Sequence, residues 1–525
     1  MLLPDERAAL PLDGRRHREE GCLTMAGKAY LGIDAGTSVV KAAIFDENGD
    51  ALAVQGRSIP LMHERAGVRG AVEQDFEVIL ATLSAVVSDA IREAGQTPES
   101  VALTGQGDGC WITDEKFHPV RPAMSWLDGR AGSLVDEWAK SGVLQEVYGI
   151  SGGSMFPGAP AACLKWLDLN EPETLDRAAT AGYCKDAIFG RLTGVRATDP
   201  SDASMPFGDG TGMGYSDRVL ELTGLTDRRS LLAPIVAPVP VAELHAEGAA
   251  LLGLPVGTPV SSGPFDFPAC GFGSGIGFPG TEGDALLIVG TTLGCLVHRD
   301  ELVNTGDAAG FSVSTGKSGQ WLRAMPAMVG TASLDWVLRI LGIEVSAVEG
   351  LLGTSPPGAN GLNVLPYLAT SGERAPFVDP LAAGSISGMR LTTNRDDIVR
   401  AVCEGLAYTA RHCFESAGQS GRIVVTGGGS KSSNWMQVFA DVLETPLVLA
   451  RTPEVGARGA VLAGAEARGE ELDVEQWTSP EGVVEPNDAN RALYDAGFAH
   501  QMELLEAARP LWHTRAALAT QGDKK

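Results

Sequence analysis

A short strand, a Gly-Thr turn and a second strand occur twice in this chain, and that repetition limits its fold more than any other feature. Tyr30-Leu31-Gly32-Ile33-Asp34 and Val39 to Phe45 are apolar runs on either side of Ala35-Gly36-Thr37-Ser38. Ala285 to Val289 and Leu293 to Val297 flank Gly290-Thr291-Thr292, 254 positions further on when counted from Thr37 to Thr291. Each reads as a hairpin whose tip presents backbone N–H groups and hydroxyls, a surface suited to phosphate oxygens. Asp34, closing the first strand, is placed to hold Mg²⁺ through water, and Lys41 to supply a mobile positive charge. Two such tips at the start of two halves predict a duplicated α/β domain with a phosphate chain clamped between the copies.

Composition narrows the partners. A chain of 525 residues has room for about three domains, or two large ones. With 41 basic and 66 acidic residues its formal charge is −25, which disfavours nucleic acid and anionic membranes. Eight cysteines show no metal-finger or CxxC spacing and read as small buried hydrophobes in a reducing compartment. Residues 1–28 lack the apolar core of a signal peptide and read as a disordered extension. The expected location is cytoplasmic.

A third element fits the clamp. Arg422-Ile423-Val424-Val425-Thr426 is a β-branched strand running into Gly427-Gly428-Gly429, after which Asn434 to Leu443 has helical spacing. Such a turn lets a flat ring or a phosphate approach the backbone closely. Two look-alikes fail on spacing: Gly310 to Ser318 has one residue too many for a P-loop, and Gly271 to Gly275 lacks the dinucleotide pattern. The helical pattern from about Asp396 to Glu415, with Asn394 as a cap, is core packing, and Trp166, Trp336 and Trp435 read as structural. Asp266, a lone carboxylate after the strand Pro259 to Gly263, is on its residues alone either a base or a helix N-cap.

Together these segments resemble the FGGY family of carbohydrate kinases. Ile33 to Lys41, Glu73-Gln74-Asp75, Trp126-Leu127-Asp128-Gly129-Arg130, Leu192-Thr193-Gly194, Gly361 to Leu368, Gly372-Glu373-Arg374-Ala375-Pro376 and Gly384 to Glu404 carry the likeness. Cys163 and Cys403 depart from the family pattern at positions with no expected chemistry. The resemblance implies an actin/hexokinase/Hsp70-like fold of two ribonuclease H-like α/β domains with a cleft between the lobes. The boundaries expected are 29–274 and 275–475, followed by a helical tail over 476–525.

It also implies an ATP- and Mg²⁺-dependent kinase acting on a terminal hydroxyl of a small polyol or ketose. Asp266 becomes the catalytic base, with Asp34 and Asp266 at the metal. Gly36, Thr37, Ser38, Lys41, Gly290, Thr291, Thr292 and Thr331 hold the phosphates, and Gly427, Gly428, Gly429 and Asn434 the adenosine. Gln106, Asp108, Trp126, Asp128 and Phe267 are assigned to the substrate, although Asp128 with Arg130 also reads as an internal ion pair. The run Gly105-Gln106-Gly107-Asp108-Gly109 looks most like that of erythritol kinases, which points to a four-carbon polyol. An L-xylulose or D-xylulose kinase is the alternative, and a sugar-independent ATPase of the same fold is the competitor from another class. A homodimer is compatible with this reading.

Overall fold

The computed structural model describes residues 27–64, 68–451 and 454–522; the expected extension lies outside these except at Gly27 and Lys28. Two sheets dominate. In the first, Ala29–Ala35, Val39–Asp46 and Ala51–Ser58 form an antiparallel meander. Ser100–Gly105 and then Pro259–Ser262 join the other side of Ala29–Ala35 in parallel, and Val241–Glu243 closes that edge. The second sheet repeats the plan with Ala285–Val289, Leu293–Arg299 and Trp321–Ala327 as the meander, and Ile423–Thr426 and Leu447–Ala450 in parallel beyond it. With the edge strands Val241–Glu243, Phe311–Ser314 and Pro480–Val484 left aside, both read third, second, first, fourth, fifth. The parallel strands lie in sheet interiors, and Ile423–Thr426 is buried at every position.

Each fifth strand leads into a helix, and these two helices join the lobes. Asp266–Gly273 follows the first sheet, and its Phe272 packs with Leu286, Leu296 and Leu322 of the second. Val455–Ala467 follows the second sheet, and its Ala457, Ala460 and Val461 pack on Tyr30, Ala43 and Ala102 of the first. Where they meet there is no room for side chains. A Cβ on Gly273 would stand 1.8 Å from the Val455 carbonyl oxygen, and one on Gly459 would stand 1.8 Å from that of Ala269.

The long connection between Ser100–Gly105 and Pro259–Ser262 holds a separate apolar cluster, from Cys110 through Met124, Leu164 and Phe207 to Leu232. Sequence patterning had set no boundary around it. The segment beyond residue 476 is also more than a tail. Pro480–Val484 pairs with Leu447–Ala450, and Tyr494, Leu505 and Trp512 of the helix Arg491–Gly522 enter the second lobe's core. Asn394 caps the helix Arg395–Ala417 through a capping box with Asp397. The mock P-loop is the edge strand Phe311–Ser314 and its turn. Trp435 is buried, but Trp336 is 40% exposed on the helix Thr331–Leu341, so it does not serve the core as expected. Among the described residues no helix is long and apolar enough to cross a membrane.

Candidate active site

The cleft between the sheets holds a cavity of about 400 Å³, lined from the first lobe by Asp34, Thr37, Asp108, Trp126 and Asp266, and from the second by Thr292 and Arg374. Both hairpin tips thus reach one space. The first is held from two sides: Gln74 Nε2 donates to the Thr37 carbonyl oxygen at 3.0 Å, and Trp126 Nε1 donates to Thr37 Oγ1 at 2.8 Å. In the second, Leu293 N donates to Val329 O, and Thr331 N, opening the next helix, to Gly290 O. Thr331 therefore sits against the tip that it was grouped with.

Asp266 is the first residue of its helix; the N-cap is Phe265, with no side-chain cap bond. The capping alternative is thereby excluded, and the carboxylate stays available to the cavity. Its loop is anchored from behind. Thr104 Oγ1 donates to Pro264 O at 2.7 Å, Phe265 N donates to Ser201 Oγ at 3.2 Å, and Ser262 Oγ donates to Asp186 Oδ1 at 2.9 Å. Asp186 belongs to a buried cluster in which Lys185 Nζ meets Asp186, Asp199 and Asp202 at 2.8, 2.8 and 3.0 Å. Sequence reasoning missed this cluster, which shows only once Ser262 is seen beside it.

Three carboxylates share the cavity, and all resist ionisation. Burial first, then the charge of Asp34, push Asp266 up to about 8, while backbone N–H groups of Phe267 and Gly107 oppose the shift. Burial lifts Asp108 to about 7, against the attraction of Arg374. Burial lifts Asp34 to about 6, against Lys41. A general base works best with a pKa near operating pH, and Asp266 meets that requirement.

Asp34 Oδ1 is buried with no hydrogen-bond partner, and a hard oxygen donor of this kind suits Mg²⁺. Among the described residues no group of three or more Asp, Glu, His or Cys side chains could hold a metal. That agrees with the usual habit of Mg²⁺, which takes one or two carboxylates and completes its shell with phosphate oxygens and water. Asp34, with Asp266 beside it, would hold the ion.

The remaining assignments divide. Gly427 is at φ 100°, and a Cβ there would meet Val289 O at 2.6 Å; Gly428 faces open space. Asn434 is engaged by its own lobe, its Nδ2 donating to Glu349 O at 2.8 Å, and Ser432 rather than Asn434 caps the helix Ser433–Leu443. Lys41 pairs with Glu454 across the lobes at 3.1 Å. Phe267 lines the cavity edge-on to Phe311, ring centroids 6.3 Å apart. Asp108 projects from a left-handed residue, φ 56°, between glycines that admit Phe265 and the Met124 carbonyl.

Gln106 and Asp128 do not line the cavity. Gln106 is 2% exposed, its Nε2 facing Cys184 Sγ at 3.9 Å. Asp128 is 1% exposed, and both its oxygens are taken: Val72 N donates to Oδ2 at 2.9 Å, and Arg130 Nε to Oδ1 at 3.0 Å. It holds the loop by an ion pair and lies outside the cavity lining, turned inward under Arg130, whose guanidinium also pairs with Glu73. Asp128→Ala would break this buried ion pair and leave Arg130 with Glu73 alone, at a cost of roughly 3–5 kcal/mol. The urea midpoint should fall accordingly, with the substrate KM of the folded fraction unchanged. Arg374 was noticed only as part of a characteristic run and given no role; the signal was an arginine in a Gly- and Pro-bounded loop.

Comparison with known proteins agrees with this architecture. Residues 29–273 match the N-terminal domain of the FGGY family of carbohydrate kinases, and residues 285–468 match its C-terminal domain. An erythritol kinase of Brucella abortus (strain 2308) is 32% identical, over 94% of this chain and 98% of that protein. A probable L-xylulose kinase of Pasteurella multocida (strain Pm70) is 26% identical, over 92% of this chain and 99% of that protein. The crystal structure of a ligand-bound xylulose kinase from Lactobacillus acidophilus superposes with a TM-score of 0.84 at 24% identity, covering 92% of this chain and 98% of that one.

Proposed function

Since the chain belongs to the FGGY family of carbohydrate kinases, and so is a phosphotransferase with an alcohol acceptor, we propose that it phosphorylates a terminal hydroxyl of a small neutral polyol, with erythritol as the first substrate to test. The observation that carries this reading is Asp108, a carboxylate lining the cavity with no hydrogen bond or ion pair from any described residue. A carboxylate accepts from two neighbouring hydroxyls and repels an acid substrate. Phe267, Phe156 and Trp126 supply apolar walls for a short carbon chain. The likeness to an erythritol kinase supports the four-carbon choice, and that to a probable L-xylulose kinase keeps a ketopentose as the second candidate.

The chemistry then follows from the side chains. The acceptor hydroxyl lies against Asp266, which draws off its proton as the oxygen attacks the terminal phosphorus of ATP. The two tips, through Thr37, Ser38, Thr291 and Thr292, donate hydrogen bonds to the phosphates, and Gly427 to Gly429 admit the adenosine. Asp34 would hold Mg²⁺, which when bound would neutralise charge on the phosphate oxygens. Closure of the lobes excludes water, so that phosphoryl transfer outpaces hydrolysis.

A panel of tetritols, pentitols, ketopentoses, glycerol and aldonates, scored by acceptor-dependent ADP release, tests the proposal. Erythritol or another neutral polyol should give the highest kcat/KM. An ADP release indifferent to every acceptor would instead favour an ATPase of the same fold. Asp108→Asn should raise the polyol KM by about 10–100-fold, the worth of a hydrogen bond to a charged group, and leave the ATP KM unchanged.

A further inference from the structure

Asp108 and Arg374 line the same cavity from opposite lobes, and each feels the other's charge. The pair does not close: no described carboxylate oxygen comes within the 4.0 Å of an ion pair to the Arg374 guanidinium, and that side chain makes no hydrogen bond to any described residue. What it touches is a ring, Phe156, with the guanidinium carbon 4.3 Å from the ring centroid. Phe156 and Asp108 belong to the first lobe and Arg374 to the second.

The backbone beneath this arginine is fixed, so the open side chain is not a loose loop. Buried Glu373 accepts on Oε1 from the N–H groups of Met328 at 2.7 Å and Arg374 at 2.9 Å. The Arg374 carbonyl accepts from Gly310 N, and Asp379 pairs with the Glu373 backbone in both directions. The side of this loop away from the cavity is braced by the last helix, where Trp512 stacks on Phe377, 6.2 Å between centroids. A guanidinium held in place, stacked on a ring and lacking an acceptor is preorganised to donate.

We infer that Arg374 and Asp108 form a two-lobe clamp on the polyol's distal hydroxyl, the oxygen accepting from Arg374 while its proton is donated to Asp108. A hydroxyl meets both demands because it is donor and acceptor at once. The clamp rests on the polyol reading above and deepens it, since the substrate itself would tie the second lobe to the first. It also makes chain length matter. A polyol too short to reach from Asp266 to the clamp would gain nothing from Arg374, and glycerol is the shorter probe.

Steady-state kinetics of wild type, R374M and R374K on erythritol, or the best neutral acceptor, and on glycerol tests this. R374M should raise the longer polyol's KM about 10-fold or more, leave the ATP KM within about twofold, and affect glycerol less; R374K should fall between. Combined with D108N, the loss should be less than the product of the two single losses. Wild-type kinetics in R374M, an equal penalty on both acceptors, or a raised ATP KM would overturn the clamp and leave the polyol reading standing. A wild type that uses no neutral acceptor would remove both. If R374M does not melt cooperatively, R374K decides by the same criteria.

Discussion

Asp266→Asn should abolish turnover and at the same time make the ligand-free protein harder to unfold. Loss of a general base costs on the order of 10²–10⁴ in kcat, and the amide cannot take a proton, so no acceptor will restore the rate. ATP affinity, which the proposed function places with the tips and Gly427 to Gly429, should change little. The stability gain comes from the same desolvation that tunes the base. A carboxyl whose pKa is raised in the folded state adds stability at low pH and loses it as pH climbs through the folded value. For Asp266 that value is about 8, for Asp108 about 7 and for Asp34 about 6. Ligand-free wild type should therefore lose stability steadily from about pH 4 to about pH 8. The asparagine variant should lose less over this range and melt higher at pH 8. Equal melting curves at pH 8, or a variant retaining wild-type kcat, would remove Asp266 from the role of buried base.

Gly459→Ala should be among the most damaging single-methyl changes at the described residues. The added carbon would fall 1.8 Å from the Ala269 carbonyl oxygen and 2.7 Å from Gly273 N, both backbone atoms of the opposing helix. No rotamer relieves that, so the helices must separate and carry the sheets with them. Overpacking costs roughly 1–3 kcal/mol and occasionally more, and an obstruction made of backbone belongs at the upper end. Gly149→Ala, in the helix Val143–Ser151 with nothing within 4 Å of the new carbon, is the control. It should be neutral or stabilising by up to about 1 kcal/mol. Chemical denaturation of the three proteins reads the difference; a Gly459→Ala midpoint equal to that of the control would mean that the lobes are not locked at this crossing.

What the sequence made readable was local or repeated. Hairpins at Thr37 and Thr291, the strand before Gly427 and the capped helix at Asn394 declare themselves through apolar runs and turn residues a few positions apart. Asp266 stood out because no other charge lies near it in the chain. The hidden parts are those made by distant segments meeting. Arg374 acquires meaning only beside Asp108 and Phe156, more than two hundred residues earlier, and Asp128 looks like a ligand until Val72 and Arg130 are seen to occupy it. Gly273 and Gly459 are ordinary helix glycines until one is laid against the other. Patterns of apolar spacing report which face of an element is buried, not what buries it.

A molecule built twice from one plan owns two copies of each strategic position. At the head of one joining helix stands Asp266, facing the cleft; within one place of the same point on the other stands Glu454, engaged by Lys41. The repeated plan thus carries an acid near the head of each joining helix, and the second is held by a cation. Under the proposed chemistry the unpaired one gives the enzyme a direction, with proton removal falling to one half and the grip on the nucleotide's ring to the other.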